Sequence, residues 1–149
     1  MNQSTNKKQK VLTLAEQVHK VGYEILNRDV DSKGDRDFRS LFGVSEEVCV
    51  SVWNLLEPET TMPEGVAIKH LFWALMFLKT YGNEATLCSL AGGVSKNTFH
   101  KWSWIMIDAI SYLEPYVVSK DNNNLTFLNV FNIFIYIFIL MHRLSGKIA

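Results

Sequence analysis

The chain has no excess charge of either sign, because 15 lysine and arginine residues balance 15 aspartate and glutamate residues. A domain dedicated to DNA binding usually carries a basic excess, since contacts with phosphate dominate its affinity. The balance therefore weighs against DNA binding over the whole surface. Positive charge clusters locally at Lys7, Lys8 and Lys10. This polar segment is more typical of a solvated terminus than of a nucleic-acid or nuclear-import patch.

Cysteine and histidine are also scarce, and their positions point away from disulfide and metal chemistry. Cys49 and Cys88 each lie inside a predicted helix among apolar neighbours, which is typical of buried thiols in a reducing compartment. No metal-ligand spacing relates them to the four histidines, His19, His70, His100 and His142. We therefore expect no metal and no cofactor. The first ten residues are polar, which predicts no secretory signal.

The first part of the chain predicts one amphipathic helix followed by a charged linker. Residues 10–27 have apolar side chains at helical spacing, namely Val11, Leu14, Ala15, Val18, Val21 and Ile25. Residues 29–37 alternate acids and bases around Gly34, which predicts a solvated linker. Their spacing starts like a calcium loop, but Ser40 stands where that loop needs a bidentate glutamate.

Two further helices are predicted in the middle of the chain. Ser45 is a good N-cap for a helix that we expect to stop before Pro58. Residues 68–81 are apolar nearly all round, which predicts a central buried helix that is too short to span a membrane. His70 within it reads as a core or edge histidine with its hydrogen bonds satisfied.

Residues 83–113 have the pattern of a helix-turn-helix. Asn83 is a good N-cap for a short first helix, Gly93 can take the positive φ that ends it, and Ser95 is a good N-cap for a longer helix. A tight glycine turn that sets two helices at a steep angle is typical of this motif. Its second helix usually lies in the major groove of DNA. An ordinary helical hairpin with a solvated polar face is the alternative.

The second helix of this pair is predicted to have two different faces. Its apolar stripe consists of Phe99, Trp102, Met106, Ala109, Ile110 and Leu113. The candidate DNA-binding residues are the cap and the donors of the first turns, namely Ser95, Lys96, Asn97, His100 and Lys101. Asp108 on the same face would repel phosphate. Trp104 is a large apolar group on that polar face, which more often marks a docking surface for a protein partner.

Four segments, in order, resemble the helical region ahead of the catalytic domain in Harbinger-like DDE transposases. They are FRSLFGVS at 38–45, VWNLL at 52–56, KHLFWALMFLKTY at 69–81 and GVSKNTFHKWSW at 93–104. The resemblance covers about residues 38–118. It implies a helix-turn-helix that helps to hold the transposon end, followed by an RNase H-like domain that uses three carboxylates and divalent metal.

No counterpart of that catalytic domain is found in the sequence. A two-metal nuclease site needs several carboxylates that converge on the ions. After Tyr116 the only acid is Asp121, and the chain reaches Ala149 too soon for a sheet of that kind. We therefore expect no catalytic residues, no enzyme activity and a truncated relative of the family.

The carboxyl-terminal stretch differs in kind from the rest. A nearly charge-free apolar run begins at Leu125 and ends at Met141. Its length of about 17 residues is at the lower limit for a membrane helix, and Asn129 and Asn132 disfavour such a helix. The run also fits a genuine soluble core segment. A third interpretation is translated non-coding sequence, because A/T-rich codons specify most of its residue types.

These observations predict an all-α bundle that contains a helix-turn-helix, plus an apolar carboxyl-terminal segment. Residues 1–37 would form the first helix and linker, 38–118 the helix-turn-helix domain and 119–149 the apolar tail. We expect a nuclear, non-catalytic DNA-binding fragment of a DDE transposase. The alternatives are a protein-interaction module that docks through Trp104 and a tail-anchored membrane protein.

Overall fold

The computed structural model describes residues 10–28, 34–59, 62–80 and 83–113, and the structural statements below refer to these ranges. They hold six α-helices and no strand, which confirms the predicted all-α class. The helices are α1 (Leu14–Leu26), α2 (Asp35–Phe42), α3 (Glu46–Glu59), α4 (Ile68–Thr80), α5 (Glu84–Leu90) and α6 (Lys96–Ser111). None of these helices is long and apolar enough to cross a membrane. The run from Leu125 to Met141 lies outside the described residues.

The first helix begins later than the apolar spacing predicted, because a capping box fixes its start. The Glu16 amide donates to Thr13 Oγ1 at 3.3 Å, and the Thr13 amide donates to Glu16 Oε2 at 2.8 Å. This reciprocal pair satisfies two backbone donors that would otherwise have no partner. Val11 therefore precedes the helix and is 89% exposed, so its predicted place in the buried stripe is wrong.

The predicted linker is wrong from residue 35 onward, where α2 begins. Gly34 is the N-cap, and its amide donates to Asp37 Oδ2 at 3.3 Å. Asp35 and Asp37 lie in the first turn, where negative charge is favourable at the positive end of the helix dipole. The apolar anchors Phe38 and Phe42 are fully buried. Charges that suggested a linker thus belong to the start of a short helix.

The third helix starts as predicted but ends later. The Val48 amide donates to the Ser45 hydroxyl oxygen at 3.4 Å, as expected of an N-cap. The helix continues through Pro58 to Glu59, because a proline in the last turn removes only one backbone hydrogen bond. Its buried face consists of Cys49, Val52, Trp53 and Leu56.

The fourth helix lies at the centre of the core, as predicted. All eight residues from His70 to Phe77 are buried. The Phe72 ring lies 5.8 Å from that of Phe38 and 4.7 Å from that of Phe42 (centroid to centroid), which joins α4 to α2. Helices α1, α2, α5 and α6 all contact α4. The remaining helix, α3, packs against α1 and α6.

A glycine in α1 permits the closest approach within this core. A Cβ atom on Gly22 would lie 2.5 Å from Cε2 of Phe38 and 3.1 Å from Cζ of Phe72. Carbon atoms that are not bonded do not approach so closely, so any other residue here would displace a buried ring. The first helix therefore shares one core with α2 and α4.

Candidate nucleic-acid interface

Two consecutive glycines form the corner between α5 and α6. Asn83 caps α5 as predicted, since its side chain accepts from the Thr86 amide at 3.3 Å. At the other end, the Gly92 amide donates to the carbonyl of Ser89 at 3.0 Å and the Gly93 amide to that of Cys88 at 2.9 Å. Both glycines have a positive φ, 107° and 78°. The pair Gly92–Gly93 was predicted to end α5, with a positive φ at Gly93; this C-cap also needs a positive φ at Gly92, one position earlier.

A side chain from the turn that follows α1 fastens this corner. Nη1 of Arg28 donates to the Leu90 carbonyl at 2.7 Å. A cation at the carboxyl end of a helix is favourable, because unpaired carbonyl groups there carry partial negative charge. The guanidinium also lies beside Gly92, where a Cβ atom would be 3.6 Å from Nη1. Periodicity in the sequence gave no sign of this contact across 62 positions.

The start of α6 is capped by Ser95, as predicted. Its Oγ accepts from the Thr98 amide at 3.2 Å and donates to Oγ1 of Thr98 at 2.9 Å. The cap is exposed, so the positive end of α6 faces solvent. Because the hydroxyl proton is already engaged, Ser95 can offer an incoming group no more than a remaining lone pair.

The buried side of α6 is rotated from the predicted stripe. Phe99, Met106, Ile110 and Leu113 are buried as expected, but Trp102 and Ala109 are only half-buried. The stripe also includes Ser103 and Ile107, which the prediction missed. The rotation follows from packing on α4, where the ring of His70 stacks on Trp102 at 4.5 Å and 6° and keeps that side chain at the edge of the core.

Three of the predicted contact residues lie together on the open beginning of α6. Lys96, Asn97 and Lys101 are all exposed. Five positions of helix span about 8 Å along the axis, so the three side chains lie within reach of neighbouring phosphates. The Lys101 ammonium lies 4.8 Å from the Trp102 ring centroid, a cation–π arrangement that directs it without removing its hydrogen-bond donors.

His100 is less open than the prediction assumed, because an acid from α5 binds it. Its Nε2 lies 2.7 Å from Oε1 of Glu84, and 33% of its side chain is exposed. The other oxygen of the same carboxylate lies 3.9 Å from the Lys96 ammonium. In the sequence, Glu84 is recognisable only as an acid in the first turn of α5. The feature of the sequence that could have indicated this pair is that Glu84 and His100 lie a similar number of residues from the Gly92–Gly93 corner, one on each side of it.

Trp104 lies at the edge of the core rather than fully on the polar face. The side chain is half-buried, and its ring meets Phe77 edge-on with centroids 5.8 Å apart. Only the uncovered part of Trp104 can therefore serve the predicted docking surface. Further along, Asp108 is exposed and Tyr112 is 71% exposed.

The titratable groups near the core are held in their neutral forms. Burial raises the pKa of the Cys49 thiol to about 12 and also raises the pKa of Cys88. Both cysteines are free and buried, as predicted, and neutral thiols are poor nucleophiles. In the ranges that the structure describes, no three His, Cys, Asp or Glu side chains are placed to hold a metal ion. The groups presented at the start of α6 are suited to hydrogen bonding and charge pairing.

Comparison of the chain with protein-family models, with curated proteins and with solved structures finds no match. The likeness to the Harbinger-like helical region therefore stays a prediction from the sequence.

Proposed function

We propose that the chain is a non-catalytic DNA-binding fragment derived from a DDE transposase, acting in the nucleus. In this proposal α5, the Gly92–Gly93 corner and α6 form a helix-turn-helix, and α6 enters the major groove. The observation that carries the proposal is the open start of α6, where Lys96, Asn97 and Lys101 are exposed.

Each of these side chains suits a different part of a DNA duplex. Lys96 and Lys101 bring positive charge, which attracts the phosphate backbone whatever the sequence. Asn97 carries a donor and an acceptor that match the major-groove edge of adenine. The Asn97 side chain has no hydrogen-bond partner among the described residues. The uncovered positive end of the α6 dipole adds to the attraction for an anion.

The proposal predicts salt-sensitive binding by the full chain that depends on Lys101. Fluorescence anisotropy with a labelled duplex at several salt concentrations measures both the affinity and its salt dependence. Lys101→Ala should weaken binding to every sequence and reduce the slope of log K against log salt by about 0.9, because one phosphate contact is lost. Asn97→Ala should instead weaken binding unequally among sequences, since it removes a base contact.

Lys20→Ala is the matched control, because Lys20 is exposed on α1 and the substitution removes the same charge. It should leave the slope unchanged. The proposal is wrong if the full chain shows no salt-sensitive DNA binding at low ionic strength.

Protein docking through the uncovered part of Trp104 is the second candidate function. The exposed Tyr112 ring at the end of α6 favours it, because exposed aromatic groups are enriched at protein interfaces. In that case Lys101→Ala changes nothing, whereas Trp104→Ser abolishes self-association.

A tail anchor at the run from Leu125 to Met141 is a third proposal. It requires carbonate-resistant membrane association that is lost when residues 122–149 are deleted.

A further inference from the structure

One carboxylate lies beside two of the side chains that the proposed interface would use. Glu84 Oε1 lies 2.7 Å from Nε2 of His100, and Oε2 lies 3.9 Å from the Lys96 ammonium. All three side chains are partly open to solvent. A phosphate that approached Lys96 from solvent would therefore meet the carboxylate as well.

We propose that Glu84 competes with the DNA backbone for Lys96 and His100 and thereby sets the affinity of the interface. This inference rests on the proposed DNA-binding function and adds a regulatory residue to it. Without DNA, the carboxylate holds both side chains beside α5. On binding, a phosphate group takes the place of the carboxylate as the hydrogen-bond partner of His100 and as the counter-ion of Lys96.

The physical basis is the similarity of the two acceptors. Carboxylate and phosphate oxygens both accept charge-assisted hydrogen bonds from lysine and protonated histidine. They repel each other because both are negatively charged, so they cannot both lie beside Lys96 and His100 without cost. Fewer counterions are also released when a cation is already paired. Asn97 and Lys101 lie outside this arrangement and stay available while Glu84 is engaged.

Two described neighbours of the cluster carry no charge that could replace that of Glu84. The neighbouring Cys88 is a buried thiol, and burial and the Glu84 charge both raise its pKa, which keeps it neutral. The Phe77 ring lies 5.8 Å from His100 and bounds the cluster on the α4 side without adding charge. Removing the single charge on Glu84 therefore tests the competition directly.

The test measures the affinity of the full-length Glu84→Gln variant for a mixed-sequence duplex by anisotropy over a salt series. Glutamine keeps the size and an acceptor oxygen for His100 but loses the negative charge. The variant should bind about fivefold more tightly near ~0.1 M salt, the scale of one charge–charge interaction at ~4 Å in water. Its slope of log K against log salt should be steeper by about 0.9.

Two controls separate charge competition from other effects. Glu24→Gln on α1 makes the same change in net charge and should leave the affinity unchanged. His100→Gln breaks the same contact but removes a predicted donor to the phosphate while Glu84 keeps its charge, so it should weaken binding. If loosening of the corner were the cause, both Glu84→Gln and His100→Gln would change the affinity in the same direction.

The inference is overturned if the wild-type chain binds DNA with salt dependence and Glu84→Gln binds no more tightly. It is also overturned if Glu24→Gln gives the same gain, because the effect would then come from net charge alone. Absence of salt-dependent binding by the wild type and by Glu84→Gln would instead reject the proposed function, and this inference with it. If Glu84→Gln no longer tightens DNA binding in a chain that also carries Lys96→Ala and His100→Gln, the result supports the competition.

Discussion

Helices α4 and α6 pack against each other, yet solvent reaches them very differently. α4 is buried without interruption from His70 to Phe77. α6 is buried along one side from Phe99 onward, while its first turn and its cap are exposed. Both helices contain lysine, tryptophan and histidine, so composition alone does not separate them. What separates them is whether neighbouring elements cover the whole circumference or only one side.

The difference teaches where stability resides in this chain and where, under the proposed function, recognition would take place. Apolar contacts around α4 join it to α1, α2, α5 and α6, and they account for the core. The start of α6 is held by its cap and by the contact of Glu84 with His100, while Arg28 holds the end of α5 on the other side of the corner. A rigid base with an exposed polar end is the arrangement that a recognition helix needs. Substitutions in the two regions should therefore separate unfolding from binding.

The largest effect is expected from Phe72→Ala in α4. The ring is fully buried between Phe38 and Phe42, so truncation leaves a cavity among aromatic groups. We expect a loss of about 3–5 kcal/mol in the free energy of unfolding. Urea unfolding of the full chain measures it. Tyr112→Ala removes an exposed ring and should cost less than about 0.5 kcal/mol. Similar losses for both variants would contradict the contrast between the two helices.

His70 in α4 is expected to make the free energy of unfolding depend on pH. The residue is only 3% exposed. Its Nδ1 accepts from the Ala67 amide at 3.0 Å, which requires the neutral ring. Burial, with a smaller contribution from the charge of Lys69, lowers the pKa of His70 from 6.5 to about 4. Protonation would break the Ala67 hydrogen bond and bury a charge, so the folded state resists it.

The direction of the effect follows from proton binding. Between pH 6.5 and pH 4 the unfolded chain binds a proton at His70 and the folded chain does not. The contribution to stability is therefore fully present above pH 6.5 and is lost as the pH falls toward 4. We expect a loss on the order of 2–3 kcal/mol from this group. Denaturant titrations of wild type and His70→Gln at pH 7 and pH 4 isolate it. An equal pH dependence in both proteins would show that His70 is not responsible.

The same contrast explains how much the sequence could predict. Residues 68–81 were recognisable as a core helix because nearly every side chain is apolar, and caps at Ser45, Asn83 and Ser95 follow from local hydrogen bonding. Such features depend on neighbours a few positions away. The start of α2 was missed because its acids and bases suggest a linker until Phe38 and Phe42 are seen to be buried.

The candidate site was predicted less completely for a related reason. The positions of Lys96, Asn97 and Lys101 follow from the periodicity of α6 alone. The pairing of His100 with Glu84 depends on the angle at which α5 and α6 cross. The spacing of residues within a single helix does not specify that angle. The rotation that brings Ser103 and Ile107 into the core depends on that angle as well. Sequence reasoning therefore located the helix that would bind but missed its internal partner.

The smallest of these effects should come from Arg28→Gln, which tests how the exposed corner is attached to the core. The Arg28 guanidinium donates to the Leu90 carbonyl at 2.7 Å, but the residue itself is exposed and water can replace part of the bond. We expect the free energy of unfolding to fall by about 1 kcal/mol. Hydrogen exchange should show a larger local change, because the amides of Gly92 and Gly93 belong to the cap that this contact supports.

Lys20→Gln removes one positive charge from α1 without touching the corner, and should leave both amides as protected as in the wild type. Faster exchange confined to the α5–α6 turn in Arg28→Gln would show that the corner opens independently of α4. Uniformly faster exchange in every helix would show the opposite, because the corner and the core would then unfold as one unit. In that case the division between a stabilising α4 and a presenting α6 would not hold.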